Sequence, residues 1–262
     1  SNHNRHSRSH FFVKNNPTTG TNIRPTKEAF TETNRMDFQT YLNWKKTFAE
    51  DHNIDVVAGY DYMKDKNNSI DARVQGAASD KIPTLNVGTS NITNYPTSTR
   101  TDEVLISYFG RVNYNFREKY LLSFTMRADG SSKFAAGNRW GYFPAASAGW
   151  IVDEEAFWPQ NKVVSSLKLR ASYGLTGNNG IGLYDTYGSY NSAYQYNGMS
   201  TTTTGEMPNS NLTWESTTQV NAGLDMGLAD DRVRVSFDYY DKVTRNLLFD
   251  VTLPNTTGYG SV

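Results

Sequence analysis

Apolar and polar residues alternate one for one along eight stretches of this chain, a pattern that admits strands and little else. Successive side chains on an extended backbone point to opposite faces, so period-two alternation makes a sheet with one apolar and one polar side. From Met36 to Phe48 the even positions read Met36, Phe38, Thr40, Leu42, Trp44, Lys46 and Phe48, while the odd ones run from Asp37 to Thr47. The pattern resumes at Ile54, Val56, Ala58, Tyr60 and Tyr62. It returns at Ile106, Tyr108, Val112, Tyr114 and Phe116, then at Tyr120, Leu122, Phe124 and Met126. Four more segments follow, around Ala146–Val152, Leu167–Leu175, Trp214–Met226 and Val233–Tyr239.

The connections between these segments are of two kinds. Ala49 to Asn53, Arg117 to Lys119 and Ala229 to Asp231 are short; polar stretches near 64–101, 129–142 and 177–211 are long. A further connector from Asp153 to Ser166 holds one expected helical turn at Asp153-Glu154-Glu155. A soluble sandwich also alternates, but nothing in its physics places the long connections at one end. Outer-membrane barrels have that asymmetry, with short periplasmic turns and long extracellular loops. Each segment is also close to the roughly nine to eleven residues that cross a bilayer at a tilt. Aromatic residues gather near segment ends (Phe48, Phe116, Tyr120, Trp150, Trp214, Tyr239), as amphipathic rings do at a membrane–water boundary. The reading is all-β, an antiparallel up-and-down transmembrane barrel.

Composition excludes several other classes. No run approaches the roughly 18 to 20 apolar residues of a spanning helix. Cys is absent, which removes disulfides and thiolate metal sites, and 26 basic residues balance 26 acidic ones, which gives no charge excess for nucleic acid. The opening residues, SNHNRHSRSHFF, contain no apolar leader core, so the chain is mature, cytoplasmic or part of something longer.

A set of local motifs carries a family resemblance. They are Tyr108-Phe109-Gly110-Arg111-Val112-Asn113-Tyr114, Lys119-Tyr120-Leu121-Leu122 and Arg127-Ala128-Asp129-Gly130-Ser131-Ser132-Lys133-Phe134. Arg139-Trp140-Gly141-Tyr142-Phe143-Pro144, Ser147-Ala148-Gly149-Trp150, Leu167 to Gly174 and Thr176-Gly177-Asn178 follow. Pro208-Asn209, Leu212-Thr213-Trp214-Glu215, Gln219 to Asp225 and Asp238-Tyr239-Tyr240 complete the series. In this order and spacing they resemble the SusC/RagA family of TonB-dependent outer-membrane transporters of Bacteroidota. Residues 1–100 fit that family in pattern only, and Ala145 and Ser210 depart from its usual Ser and second Pro.

The resemblance implies that residues 1–262 are part of a TonB-dependent receptor barrel domain, about eight strands of a barrel of about 22. The family's plug, TonB-contacting segment and final strands have no counterpart in these residues. It further implies active import of an oligosaccharide or a peptide across the outer membrane of a Gram-negative cell. A SusD-like surface lipoprotein at the extracellular mouth and TonB, acting through the plug, are the implied partners, together with outer-membrane lipid. Without the resemblance, two other classes stay open: a small complete outer-membrane barrel serving as adhesin or anchor, and a soluble carbohydrate-binding β-sandwich.

Arg111, Asn113, Arg170, Asn221, Asp225 and Arg234 lie on the polar positions of their segments and are expected to line the lumen. Trp140, Tyr142, Tyr184, Tyr187, Tyr190, Tyr194 and Tyr196 are expected in loops, where rings stack on sugars or pack on peptide side chains. Asp129 to Phe134 reads as a strand-ending turn, with Gly130 free to take φ > 0 and Asp129 bonding local backbone. His3, His6 and His10 sit among Ser, Asn and Arg and read as a solvated loop rather than a metal site. Asn91-Ile92-Thr93 carries no weight as a glycosylation triplet in so Asn- and Thr-rich a chain. Glu154 and Glu155 are accounted for by the start of a helical turn, where carboxylates offset the dipole. No nucleophile elbow, phosphate loop or zinc pattern occurs, so neither an enzyme nor a cofactor is expected.

Overall fold

The computed structural model describes residues 2–10, 26–75, 84–87, 96–159 and 163–259. Its strands are β1 (Asn2–His10), β2 (Thr26–Phe48), β3 (His52–Val74), β4 (Thr97–Phe116), β5 (Tyr120–Ser131), β6 (Trp140–Ile151), β7 (Val164–Asn178), β8 (Tyr190–Tyr196), β9 (Met199–Thr204), β10 (Glu215–Leu228) and β11 (Val233–Arg245). Nine of them form one sheet in the order β1-β2-β3-β4-β5-β6-β7-β10-β11, and β8 and β9 form a separate hairpin. The β1–β2, β4–β5, β5–β6, β6–β7, β8–β9 and β10–β11 pairings are antiparallel and between sequence neighbours, and β7 meets β10, also antiparallel, across the β8–β9 hairpin. All eight segments expected from alternation are present, and β1 is an additional sheet strand.

Two compact units divide the chain, Ser1–Asp37 with Met63–Val104 and Phe38–Tyr62 with Leu105–Val262. In the first unit, the strand portions are mostly polar and are joined by cross-strand pairs. Lys27 meets Asp71 at 2.6 Å, Thr33 donates to Asn67 at 3.1 Å, and Arg35 pairs with Asp65. These residues correct two expectations. The connection read as spanning 64–101 is strand as far as Val74 and again from Thr97, because paired charges can hold an extended ladder where apolar contrast is weak. His3, His6 and His10 belong to β1, paired with Thr33, Phe30 and Thr26, rather than to a loop. Asn91 to Thr93 lie outside the described residues.

In the second unit, the short turns have a shared device. Ala49 and Glu50, Arg117 and Glu118, and Ala229 to Asp231 all have positive φ. Two consecutive left-handed residues give the turn twist that matches the twist of flanking strands, so tight hairpins accept the cost even without Gly or Asn. Adjacent turns are tied as well: Arg117 donates its backbone N–H to Asp51 O at 2.8 Å and Nε to Asp51 Oδ2 at 2.9 Å.

The register aligns the apolar positions of neighbouring strands. Val112 pairs with Phe124, Phe124 with Ala146, Ala146 with Tyr173, and Tyr173 with Val220. Tyr114, Leu122, Ala148, Ala171, Ala222 and Tyr239 make the next row. These side chains are not covered: Phe124 is 51% exposed, Leu122 50% and Val220 47%. Val220 itself pairs with Asp241, two residues beyond Tyr239, so the apolar band steps along the strands as it crosses the sheet. Tilted strands require that offset.

Among the described residues, three of the four buried apolar side chains gather at the opposite end from the short turns, and Val152 is the fourth. Phe134 has no exposure, and Phe143 and Trp214 are 8% exposed, with Leu105, Leu175, Ile181 and Leu212 packed against them. Trp214 lies 5.3 Å from Phe134 and 5.4 Å from Phe143, ring centre to ring centre. Pro144, which has no N–H to give, stands just before the first β6–β7 pair, Ala145 with Gly174. Beyond that point, Phe143 lies against Gly141 and Gly177, where a Cβ would collide with its ring. The 129–142 connection is correspondingly shorter than expected, since β5 runs to Ser131 and β6 starts at Trp140.

Candidate functional site

The polar face of the second unit is built from rows of small and charged side chains. Asn113, Ser123, Ser147, Ser172, Asn221 and Tyr240 are successive partners across β4, β5, β6, β7, β10 and β11. Ser123 donates to Asn113 at 2.7 Å, Asn221 to Ser172 at 3.2 Å, and Gln219 to Asn221 at 3.0 Å. The next row contains Gly149, Arg170 and Gly223. A concavity of about 560 Å³ lies over these two rows, with Asn113, Ser147, Arg170, Asn221 and Tyr240 among its walls.

Arg170 is the best-connected charge on this face. Its Nε donates to Asp225 Oδ2 at 2.6 Å and its Nη2 to Asp225 Oδ1 at 3.0 Å and Asp238 Oδ1 at 3.1 Å. Ser236 donates to Asp225 at 2.5 Å. Gly223 is what permits this geometry, because its missing Cβ would stand 3.0 Å from Arg170 Cζ. Arg170, Asp225 and Asp238 are between 38% and 53% exposed, so their pairing orients charge more than it stabilises the fold.

The six expected polar-face residues are distributed unequally. Arg170 and Asp225 form the fork, and Asn113 and Asn221 belong to the amide and hydroxyl row. Arg234 borders a second concavity with Asp225 and Asp231, while Arg111 is exposed, in the pairing row of Thr125. Asp238, Ser236 and Tyr240 were not among the residues expected to line the lumen. They fall on the polar parity of β11, so alternation alone could have found them.

The seven expected loop aromatics separate into three groups. Trp140 and Tyr142 are in β6, not in a loop, on the apolar side, and Trp140 stacks on Tyr108 at 6.0 Å. The ladder from Gly130↔Trp140 to Ala128↔Tyr142 extends strand pairing through residues whose composition looked loop-like. Tyr184 and Tyr187 are exposed on the turn after β7, where Arg139 donates to the Tyr187 hydroxyl at 3.4 Å. Tyr190 and Tyr196, each 78% exposed, lie on the β8–β9 hairpin with the backbone of Tyr194.

Two further expectations change. Gly130 is within β5 and is not among the residues of positive φ; it is small because the Trp140 ring lies about 3.0 Å from where a Cβ would be. Asp129 is 7% exposed and accepts from Arg127 Nε at 2.8 Å, while Arg127 Nη2 donates to Ser107 at 2.8 Å. The turn itself begins after Ser131.

Rings mark both limits of the apolar band. Phe38, Tyr60, Tyr108 and Trp140 form one row, with centroids 6.4, 5.3 and 6.0 Å apart. His52, Phe116, Tyr120, Trp150 and Phe157 form the other, at 4.7, 6.0, 6.4 and 6.3 Å. Tyr142 and Trp150 are eight residues apart on β6, about 26 Å of extended strand, or about 20 Å of depth at a tilt of about 40°. That is close to the apolar height of about 25 Å in outer-membrane barrels.

The family described as TonB dependent receptor-like, beta-barrel matches residues 1–262. The chain belongs to that family. TonB-dependent receptor P3 of Formosa agariphila is 36% identical over 229 residues, which are 85% of this chain and 22% of that protein. TonB-dependent receptor SusC of Bacteroides thetaiotaomicron is 41% identical over 172 residues, 63% of this chain and 17% of that one. The RagAB peptide transporter structure matches at a TM-score of 0.86 with 27% identity, covering 99% of this chain and 29% of that one. The RagAB peptide importer in its open-open state matches at 0.82. A SusC/RagA-type receptor barrel is therefore the family setting, and this chain spans less than a quarter of the curated relatives' length. The family is one of the outer membrane.

Proposed function

We propose that these residues form wall and loops of an active outer-membrane importer of oligosaccharides or peptides. The apolar band faces lipid, and the Asn113–Tyr240 and Arg170 rows face a wet lumen. A SusD-like lipoprotein covers the mouth, and TonB acts through a plug elsewhere in the protein. The observation that carries this reading is the uncovered apolar band limited by two ring rows, set back to back with a face of amides, hydroxyls and charges. Exposed to water, such a band would be costly; in hydrocarbon it is the required surface.

The ring assignments follow from position. Trp140 and Tyr142 are boundary residues at the lipid–water interface, not ligand contacts. Tyr184, Tyr187, Tyr190 and Tyr196 are the exposed loop aromatics available to a solute or to the lipoprotein. The mixed charges of Arg170, Asp225 and Asp238, with the amides and hydroxyls beside them, suit a polar neutral or zwitterionic solute.

The test is to delete the full-length gene and follow uptake of labelled oligosaccharides and labelled peptides, with affinity capture of the tagged receptor in parallel. Loss of uptake of one solute class, together with co-purification of a surface lipoprotein, is expected. Unchanged uptake of both classes with no lipoprotein recovered contradicts the importer reading.

A further inference from the structure

The β6–β7 connector differs from the other short-side connections, and it ends against the lower ring row. The others are tight turns centred on Ala49-Glu50, Arg117-Glu118 and Ala229 to Asp231. This one contains a 3-10 turn at Val152–Glu154, then Glu155, Ala156, Phe157 and Trp158. Glu155 N donates to Val152 O at 3.1 Å and Trp158 N to Glu155 O at 3.0 Å, which makes residues 152–158 a folded unit. Val152 is buried, and Asp153 accepts the backbone N–H of Leu167 at 2.8 Å, which fixes the start of β7.

Glu155 fastens this unit to the strands. Its Oε1 accepts from Tyr120 Oη at 2.5 Å and from Trp150 Nε1 at 3.1 Å, and Lys119 Nζ stands 3.9 Å from Oε2. Lys119 also donates to Glu154 O. The polar ends of two boundary rings are thus turned toward one carboxylate at the edge of the apolar band. Phe157 meets the Trp150 ring edge-on at 6.3 Å yet remains 67% exposed. Trp150 pairs with Leu169 on β7, which has no ring, so the ring beside Trp150 comes from the connector instead.

We infer that residues 152–158 are an interfacial foot that seats Phe157 among phospholipid acyl-chain ends at the short-turn face of the outer membrane. The inference rests on the lipid-facing assignment made above and goes beyond it, since a connector is not part of the barrel wall. Continuity with the ring row selects lipid as the occupant: the exposed phenyl group adjoins the row His52–Phe116–Tyr120–Trp150 that already limits the band. Tyr and Trp hydrogen-bonding groups belong at the headgroup level, and an exposed Phe next to them belongs on the hydrocarbon side.

The experiment uses the full-length receptor in phospholipid bilayers, with a nitroxide attached at Phe157→Cys and, separately, at Leu122→Cys and Asn113→Cys. Collision with dissolved oxygen is compared with collision with a water-soluble nickel chelate. At Phe157 and Leu122 oxygen contact is expected to exceed chelate contact; at Asn113 the order is reversed. Chelate contact dominating at Phe157 while Leu122 stays shielded overturns the foot and leaves the lipid-facing wall standing. Chelate contact dominating at both Phe157 and Leu122 overturns the wall assignment itself. Phe157→Trp provides a second reading free of the label: brominated lipids quench its added fluorescence if the foot is seated, and leave it unchanged if it is not.

Discussion

A charge placed at the middle of the apolar band should cost far more than the same charge at its edge. Phe124 pairs with Ala146, which is four residues from Tyr142 and four from Trp150 along β6. Four extended residues cover about 13 Å, or about 10 Å of depth at a tilt of about 40°, so Phe124 lies near the midplane. Arg facing lipid at midplane costs roughly 2–4 kcal/mol in barrel proteins and about 0–1 near the interface. Phe124→Arg is therefore expected to destabilise by about 2–4 kcal/mol, and Tyr142→Arg, 59% exposed at the boundary, by about 0–1. Thr125→Arg, one residue along on the polar face, is expected within about 0.5 kcal/mol of the parent, as for surface changes generally. The assay is denaturant unfolding of full-length receptor in phospholipid bilayers, following the midpoint at constant slope. Equal costs at Phe124 and Thr125, or no difference between Phe124 and Tyr142, would refute the depth assignment.

Other consequences are sharper at single sites. Phe134→Ala removes a ring with no exposure from between the loops after β5 and β7; a Phe-to-Ala change of this kind costs about 3–5 kcal/mol locally. Hydrogen exchange should then quicken at residues 132–139 and 179–189, with the β5–β6 ladder near Phe124 unchanged. Gly177→Ala puts a methyl group into the Phe143 ring and is expected to cost about 1–3 kcal/mol by overpacking, relieved by pairing it with Phe143→Leu. Asp225→Asn leaves the Arg170 fork partly formed and, at such exposure, should change stability by no more than about 1 kcal/mol while altering uptake or its salt dependence. Glu155 is held below the ordinary carboxylate range by hydrogen bonds from Tyr120 and then Trp150. Its depressed folded pKa means the fastening is complete above the unfolded value, about 4.3, and is lost as pH falls through the lower folded value. Mobility of a label at position 157 should rise only in that acid range, and Glu155→Gln should abolish the pH dependence.

The membrane-crossing portions were legible because lipid on one side and water on the other impose a strict period of two. Every such segment, from Met36–Phe48 to Val233–Tyr239, is a strand, and the three short turns fall where expected. Outside the band that contrast disappears. Thr26–Arg35 and Lys64–Ser69 are mostly polar on both faces, and their strands are joined by cross-strand charges such as Lys27 with Asp71 that a single segment does not reveal. The same blindness hid β1 and placed Trp140 and Tyr142 in a loop, although even parity carries both onto the apolar face. Arg170 and Asp225 were readable as polar-face residues, but their contact needed the β7–β10 register, which is set across a long intervening loop. Trp214 was read as a boundary ring and is instead buried with Phe134 and Phe143, a packing that arises from segments brought together only in the folded chain. Glu155 was explained as a helix-start carboxylate; it is instead the acceptor for two rings, one of them 35 residues away.

The most direct measurement is a cysteine-accessibility scan of β5 from Leu121 to Thr125 in the full-length receptor within intact outer membranes. A membrane-impermeant, water-soluble maleimide should label positions 121, 123 and 125 and spare positions 122 and 124. Uniform labelling of all five, or labelling of the even positions alone, contradicts a wall with lipid on one face and water on the other.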